Sequence, residues 1–340
     1  VRKIKLNKMK KIFTIKGLII SLLFLSIVSV NAQYISFADQ QLFKISFDDD
    51  YFNYRGSGTD RYYTAGIEFG YYFKKREKNK LPSIVHTSGL SRLYYISLKQ
   101  IINTPNIIAR KGFQKGDYPY AGVLYGSFGS IYSNELSRSR ITRAFSVGML
   151  GSKAFSGETQ IFVHRLIHYT KPVGWDTQIK SELMLNYMTR FDKGIFSFGN
   201  KLDVITTTEL NIGTVYDNAS AGFTVRFGKL NSYFSNYNLI NLTEENKHKR
   251  SIYFFVNPSI TVVAYNGTLQ GGLSDGRLKY SKNDYVVSSG DINRLLSKLT
   301  FGANYEGRKF SASFSQSIQS AEFTTVDHHE YGNISIAFIL

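Results

Sequence analysis

The chain has no cysteine, so neither disulfides nor thiolate metal sites hold or run this protein, and stability rests on the fold itself. It also has no run of 18 consecutive apolar residues, which excludes a protein that crosses a membrane on helices. No internal repeat, low-complexity tract or Pro/Gly-rich linker interrupts it, and it reads as one domain. Acid is the minority charge: 25 Asp and Glu against 42 Lys and Arg give a formal net charge of +17. Tryptophan occurs once, at Trp175, whereas Phe and Tyr number 26 and 24. That aromatic load is unusual for a soluble domain.

The N-terminal region reads as an export signal. Lys8, Lys10, Lys11 and Lys16 surround the start of an apolar stretch from Leu18 to Val28, and Val30-Asn31-Ala32 sets small side chains at the cleavage positions. The sequence therefore predicts a signal peptide over residues 1–32 and Gln33 as the first mature residue. Met9 opens a conventional signal, which makes the eight residues before it an upstream extension. The apolar stretch falls short of the roughly 20 residues a spanning helix needs. Seven of the positive charges (Arg2, Lys3, Lys5, Lys8, Lys10, Lys11 and Lys16) lie in this segment with no acid before Asp39, leaving about +10 on the remainder. An exported, basic, aromatic chain points to an anionic membrane surface rather than to nucleic acid.

Period-2 alternation runs through the rest. Phe310, Ala312, Phe314 and Ile318 share one face, against Ser311, Ser313, Ser315, Ser317 and Gln319 on the other. Ile334, Ile336 and Phe338 alternate likewise with Asn333, Ser335 and Ala337. About twelve such segments are centred near residues 45, 67, 96, 126, 145, 184, 204, 224, 258, 299, 314 and 335. A soluble β-sandwich alternates too, but the export signal and the aromatic load favour an all-β transmembrane antiparallel β-barrel of about twelve strands over residues 33–340, an even count that suits closure. The polar stretches 229–250, with K-H-K-R at 247–250, and 266–290 read as long solvated loops.

One segment breaks the alternation. Between Gly157 and Glu182, Gln160 and His164 stand four residues apart, one helical turn, which predicts a short helix near residues 157–168 carrying both on one face. A lone histidine often does no more than cap or pack a helix. As chemistry, it is the usual general base for ester hydrolysis by water, with an unperturbed pKa of about 6.5. His168 lies one turn on, as a partner or a surface residue. His328 and His329 follow Asp327 in an expected turn and read as solvated. Trp175 suits an interfacial belt or a substrate contact. Gly272-Leu273-Ser274-Asp275-Gly276 satisfies G-x-S-x-G but lacks the strand-turn-helix setting of a nucleophile elbow.

Three motifs occur in order: F-D-D-D-Y-F (47–52) with G-T-D-R-Y-Y-T-A-G (58–66), then G-D-Y-P-Y-A-G-V-L-Y (116–125), then G-E-T-Q-I-F-V-H with P-V-G-W-D-T-Q (172–178). With S-A-E-F (320–323) before the last strand, the chain resembles the outer-membrane lipid A 3′-O-deacylases, the LpxR family, over essentially its whole mature length. The resemblance implies a twelve-stranded barrel whose site near the outer leaflet hydrolyses the ester holding the 3′-acyloxyacyl group on lipid A, with Ca²⁺ as cofactor. It implies that His164 is the catalytic histidine, Gln160 the glutamine one turn before it, Asp50 the acid of an Asn-Asp pair, and Thr64 the hydroxyl residue. The family's Asn is Asp49 here, an extra hard oxygen for Ca²⁺ or the loss of an amide donor. A basic residue expected before the second motif is Arg110, Lys111 or Lys115.

Chemistry of this kind needs positive charge at the oxyanion, which Ca²⁺ held by Asp48, Asp49 and Asp50 would supply. The three do not fit an EF-hand loop, because Phe52 stands where a ligand is required. The implied partner is lipopolysaccharide in the bacterial outer membrane, and a monomer is expected. An outer-membrane phospholipase, a deacylase of another lipid A position and a non-catalytic barrel are the alternatives.

Overall fold

The computed structural model describes residues 41–52, 61–74, 90–237, 240–241, 250–278 and 285–340. The expected export signal lies outside them, as do Gly58, Thr59 and Asp60 of the first motif and Lys247, His248 and Lys249 of the basic run.

The strands are β1 (Gln41–Asp49), β2 (Tyr62–Phe73), β3 (Leu90–Thr104), β4 (Ala121–Asn134), β5 (Ser139–Leu150), β6 (Glu182–Phe198), β7 (Leu202–Gly213) and β8 (Tyr216–Lys229). They continue with β9 (Asn236–Tyr237), β10 (Ile240–Asn241), β11 (Ser251–Asn266), β12 (Leu295–Glu306), β13 (Phe310–Gln319) and β14 (His329–Ile339). Helix α1 spans Ser156–Ile167. Twelve strands close into an antiparallel barrel in the order β1-β14-β13-β12-β11-β8-β7-β6-β5-β4-β3-β2, and β9 and β10 pair separately. Each expected strand centre falls within one of the twelve.

The register explains the alternation. Ile96, Phe128, Phe145, Tyr187 and Ile212 are direct partners in succession across β3 to β7, and all five are exposed on the outer wall. One residue along, Ser97, Ser127, Ser146 and Asn186 form the neighbouring row, facing the lumen, and the Ser127 and Ser146 hydroxyls lie 2.8 Å apart. A wall apolar outside and polar inside inverts a water-soluble sheet. In water each exposed apolar side chain would forgo roughly 25 cal/mol per Å² of burial, whereas hydrocarbon is the solvent that such a wall fits.

The lumen is filled at one end. The connection after β8 turns inward, and the Arg140 guanidinium donates to the carbonyls of Tyr233 and, at 2.7 Å, Asn236. The Tyr233 ring packs against the guanidiniums of Arg140 and Arg226, at 4.1 and 5.2 Å. Ser133 donates to the Phe234 carbonyl at 2.6 Å, and the amides of Asn231 and Asn236 donate to Glu306 at 2.9 and 3.0 Å. Ile240 is wholly buried in an apolar cluster with Leu42, Tyr72, Leu93 and Tyr95. Tyr95 lies over Gly129, where an added Cβ would come within 2.2 Å of the ring. Residues 230–237 and 240–241 are therefore a plug, not a solvated loop as the sequence suggests: their carbonyls, the Tyr233 ring and the Asn231 and Asn236 amides meet buried charges that the strands contribute. Planar-bilayer recording is expected to show no steady conductance from the wild-type protein and a new one from the double variant Arg140→Ala/Tyr233→Ala. Steady wild-type conductance would contradict the plug.

Candidate active site on the outer wall

Asp49, Ala65, Ile102 and Gly122 are successive direct partners across β1 to β4. Their even spacing from Phe69, Ile96 and Phe128 puts them on the outer face. Helix α1 lies against this row at the end of the barrel away from the plug. Gly122 makes the approach possible, since a Cβ there would come 2.4 Å from Ser156 Oγ. Two bonds fix the dock: Ser156 Oγ donates to the Ile101 carbonyl at 3.0 Å, and Gln100 Nε2 to the Ala154 carbonyl at 2.7 Å.

The helix is inside-out. Its buried face consists of Ser156, Gly157, Gln160 and His164, with Gln160 2% and His164 7% exposed. Phe162, at 63% exposed, faces outward with Val163, Leu166 and Ile167. A surface helix in water buries its apolar stripe and shows its polar one. Here the polar stripe meets the barrel wall and the apolar stripe continues the lipid-facing surface.

Helix α1 ends at His168, which is exposed and takes a left-handed conformation, φ 57°, a common way to reverse a chain at a C-terminus. It is the helix cap, its N–H directed at the Arg165 and His164 carbonyls and its side chain exposed. The Tyr169 N–H returns to the His164 carbonyl at 2.8 Å, and the reversal brings the Thr170 carbonyl within 2.5 Å of His164 Nδ1. A carbonyl only accepts, so Nδ1 carries the proton and Nε2 is the basic nitrogen of the neutral ring.

One turn back, Gln160 Oε1 accepts a bond from Trp175 Nε1 at 2.8 Å. Trp175 is buried rather than belted at the interface. Its ring packs on Tyr120 at 4.8 Å and on Gly157, where a Cβ would come 2.9 Å from the indole. Tyr120 donates to the Ile108 carbonyl at 3.1 Å, and the Val173 N–H does so at 3.0 Å. The second and third motifs are thereby laced together. The three basic candidates are all exposed. The Arg110 carbonyl lies 3.3 Å from a Cβ placed on Gly174, beside Trp175. Lys115 instead precedes Gly116, whose carbonyl accepts from Thr325 at 2.6 Å across the barrel mouth.

The first motif supplies the acids and the hydroxyl. Asp50, buried in the turn after β1, accepts from the Arg61 N–H at 2.8 Å. Asp49 accepts from the Tyr51 N–H at 2.7 Å. Thr64 is buried on β2 with its hydroxyl 2.6 Å from that of Thr104. Ala65, next to Thr64, shares an apolar cluster with Ile102, Tyr120, Trp175 and Ile161, which joins the acid side of the site to the helix side. Asp48 does not belong to it. Its carboxylate faces the lumen, accepting from Tyr63 at 2.7 Å and Asn333 at 2.6 Å, with Lys99 at 3.7 Å. Strand alternation turns Asp48 away from Asp49, and the expected three-acid cluster reduces to two.

A family model described as outer membrane protein LpxR matches residues 18–340. The chain belongs to the LpxR family. Its fold is similar to that of LpxR from Salmonella typhimurium, with a TM-score of 0.69 and 21% identity over 88% of this chain and 100% of that one. It is more distantly similar to the β domain of the Bordetella autotransporter BrkA, at a TM-score of 0.44 and 9% identity over 88% of this chain and 99% of that one. No curated protein sequence matches the chain. Membership of the LpxR family places the chain in the bacterial outer membrane and supports a lipid A deacylase.

The donors of this LpxR-family chain suit a hard cation. Among the described residues no group of three or more His, Asp or Glu side chains gathers, so carboxylates alone would not fill a calcium sphere of six to eight oxygens. Gln316 donates to the Phe52 carbonyl in the same turn as Asp50, while its Oε1 is buried without a hydrogen-bond partner. Two carboxylates and an amide oxygen buried without a partner, all reaching the turn after β1, are a set of the right chemistry.

One further expectation changes. His329 is buried, its ring stacked on Tyr331 at 5.3 Å, because it opens β14 on the lumen side, while His328 is exposed as expected. Ser274 sits in a π-helical turn, its N–H bonded to Glu182 at 2.8 Å. The S-A-E-F segment has a structural task that its spacing does not disclose. Tyr118 stacks on Tyr62 at 4.5 Å and packs on Phe323, and its hydroxyl donates to Glu322.

Burial pushes the Glu322 carboxyl up from its ordinary 4.5, against the lowering effects of the Tyr118 bond and Lys298. A folded-state pKa above the unfolded one means the native state binds more protons, so this stabilisation is complete below pH 4.5 and is lost as pH rises through the folded value. Thermal unfolding in detergent is expected to show that slope in wild type and its absence in Glu322→Gln. Identical slopes would contradict the assignment.

Proposed function

We propose that this chain is a lipid A esterase that removes the 3′-acyloxyacyl group by water attack, with His164 as general base. The observation that carries this reading is the inside-out helix α1: it sets a histidine with a fixed tautomer and a buried glutamine against the outer wall, where membrane lipid arrives laterally. In the reaction, His164 Nε2 takes a proton as water attacks the ester carbonyl. The imidazolium then returns it to the departing sugar oxygen, so that acid and alcohol leave and the ring is neutral again. The Nδ1–H bond to the Thr170 carbonyl holds the ring in place through both transfers. Gln160 and Thr64 orient the reacting groups.

Asp49 and Asp50, joined by Gln316 Oε1 from the strand that meets the same turn, would hold Ca²⁺, which when bound supplies Lewis acidity toward developing negative charge. The exposed cations Arg110, Lys111 and Lys115 would meet a lipid A phosphate. Incubating the detergent-solubilised protein with lipid A and identifying the released chains tests the reading. Release of the 3′-acyloxyacyl group supports it; release of another acyl chain, or cleavage of phospholipid alone, replaces the substrate while keeping the site.

A further inference from the structure

The geometry points to Trp175 as the positioning residue that fixes Gln160 as a hydrogen-bond donor to the reacting ester. This rests on the esterase reading above. The two ends of a glutamine amide have similar size and opposite roles, and a side chain free to flip would present an acceptor half the time. An indole N–H is donor only. Because Trp175 Nε1 lies 2.8 Å from the amide, the oxygen must face the indole, and the two Nε2 hydrogens point away from it. A donor-only presentation suits negative charge developing on a carbonyl oxygen.

The clamp is built to stay put. Trp175 is itself buried between Tyr120 and Gly157, within a turn whose Thr177 hydroxyl donates to the Gly174 carbonyl at 2.9 Å. Gly174 has no side chain where a Cβ would come 2.5 Å from the Tyr120 ring. Gly157 therefore admits the indole and Gly174 the Tyr120 ring that packs on it, which holds the indole edge against Gln160. The indole acts on the amide's orientation and does not touch the ester.

Trp175→Phe keeps an aromatic ring in this slot and removes only the donor. Loss of a whole oxyanion donor costs about 10²–10³-fold in kcat, so loosening one is expected to cost about tenfold, with KM little changed. In a Gln160→Leu background the same substitution is expected to cost nothing further, because the two act as one unit.

A second readout does not depend on turnover. Trp175 is the chain's single tryptophan, so the fluorescence reports this residue alone, and its indole N–H resonance Raman marker reports the bond. Both are expected to shift in Gln160→Leu and to stay unchanged in His328→Ala. Full kcat in Trp175→Phe, an equal loss in the Gln160→Leu background, or an unshifted indole spectrum in Gln160→Leu would each overturn the proposal. A wild-type protein that cleaves no lipid ester would instead overturn the parent reading, a result visible before any variant is made.

Discussion

Replacing His164 with alanine is expected to reduce lipid A hydrolysis by about 10²–10⁴-fold, the usual cost of a positioned general base. The barrel should remain folded, because His164 lies on a helix that docks outside the wall through Ser156 and Ala154 rather than through the imidazole. Heat-modifiable migration in gels checks the fold, and acyl release checks the chemistry. His328→Ala is the control: that residue is exposed, with Glu330 at 3.5 Å as its charged neighbour, and its loss should change little. Equal losses at the two positions, or full activity in His164→Ala, would remove His164 from the mechanism.

The second large effect belongs to Asp50. Asp50→Ala deletes a buried carboxylate in the turn that joins β1 to the site, and activity should fall by about 10²-fold or more, in the upper range seen when a metal centre loses a supporting group. Asp49→Asn is milder and more diagnostic. If the extra carboxylate is a calcium ligand, the variant needs more calcium for half-maximal activity, because a hard cation loses an anionic oxygen. If an amide is what the ester requires there, turnover at saturating calcium rises instead. Calcium titration of the purified variants separates the two. Unaltered calcium dependence in Asp49→Asn together with an active Asp50→Ala would exclude this turn as the metal site.

Much of the fold is legible in the sequence because a barrel wall obeys a two-residue period. Ile334, Ile336 and Phe338 announce their face without any knowledge of their neighbours. Helix α1 is legible for the complementary reason, since Gln160 and His164 fall into register only at a helical period. What the pattern does not carry is where a connection folds after leaving a strand. The stretch 229–250 is polar enough to read as solvated, yet the structure uses Tyr233, Asn231 and Asn236 to meet Arg140 and Glu306 inside the lumen.

The site shows the same division. His164, Gln160, Asp50 and Thr64 are nameable from motifs. The Thr170 carbonyl that sets the tautomer is a backbone atom, and any residue could supply it. Trp175 is visible as the only tryptophan, but its bond to Gln160 depends on two glycines that let aromatic rings close in. Asp48 and His329 reverse expectation through one physical fact: adjacent strand residues face opposite ways, so an acidic run and a histidine pair each split between site or solvent and lumen.

The most direct test is mass spectrometry of lipid A from otherwise identical cells carrying the wild-type protein, the His164→Ala variant or neither. The account predicts a lipid A species lighter by the 3′-acyloxyacyl group in wild-type cells alone. Identical lipid A from all three, with folded wild-type protein present in the outer membrane and calcium supplied, would contradict it.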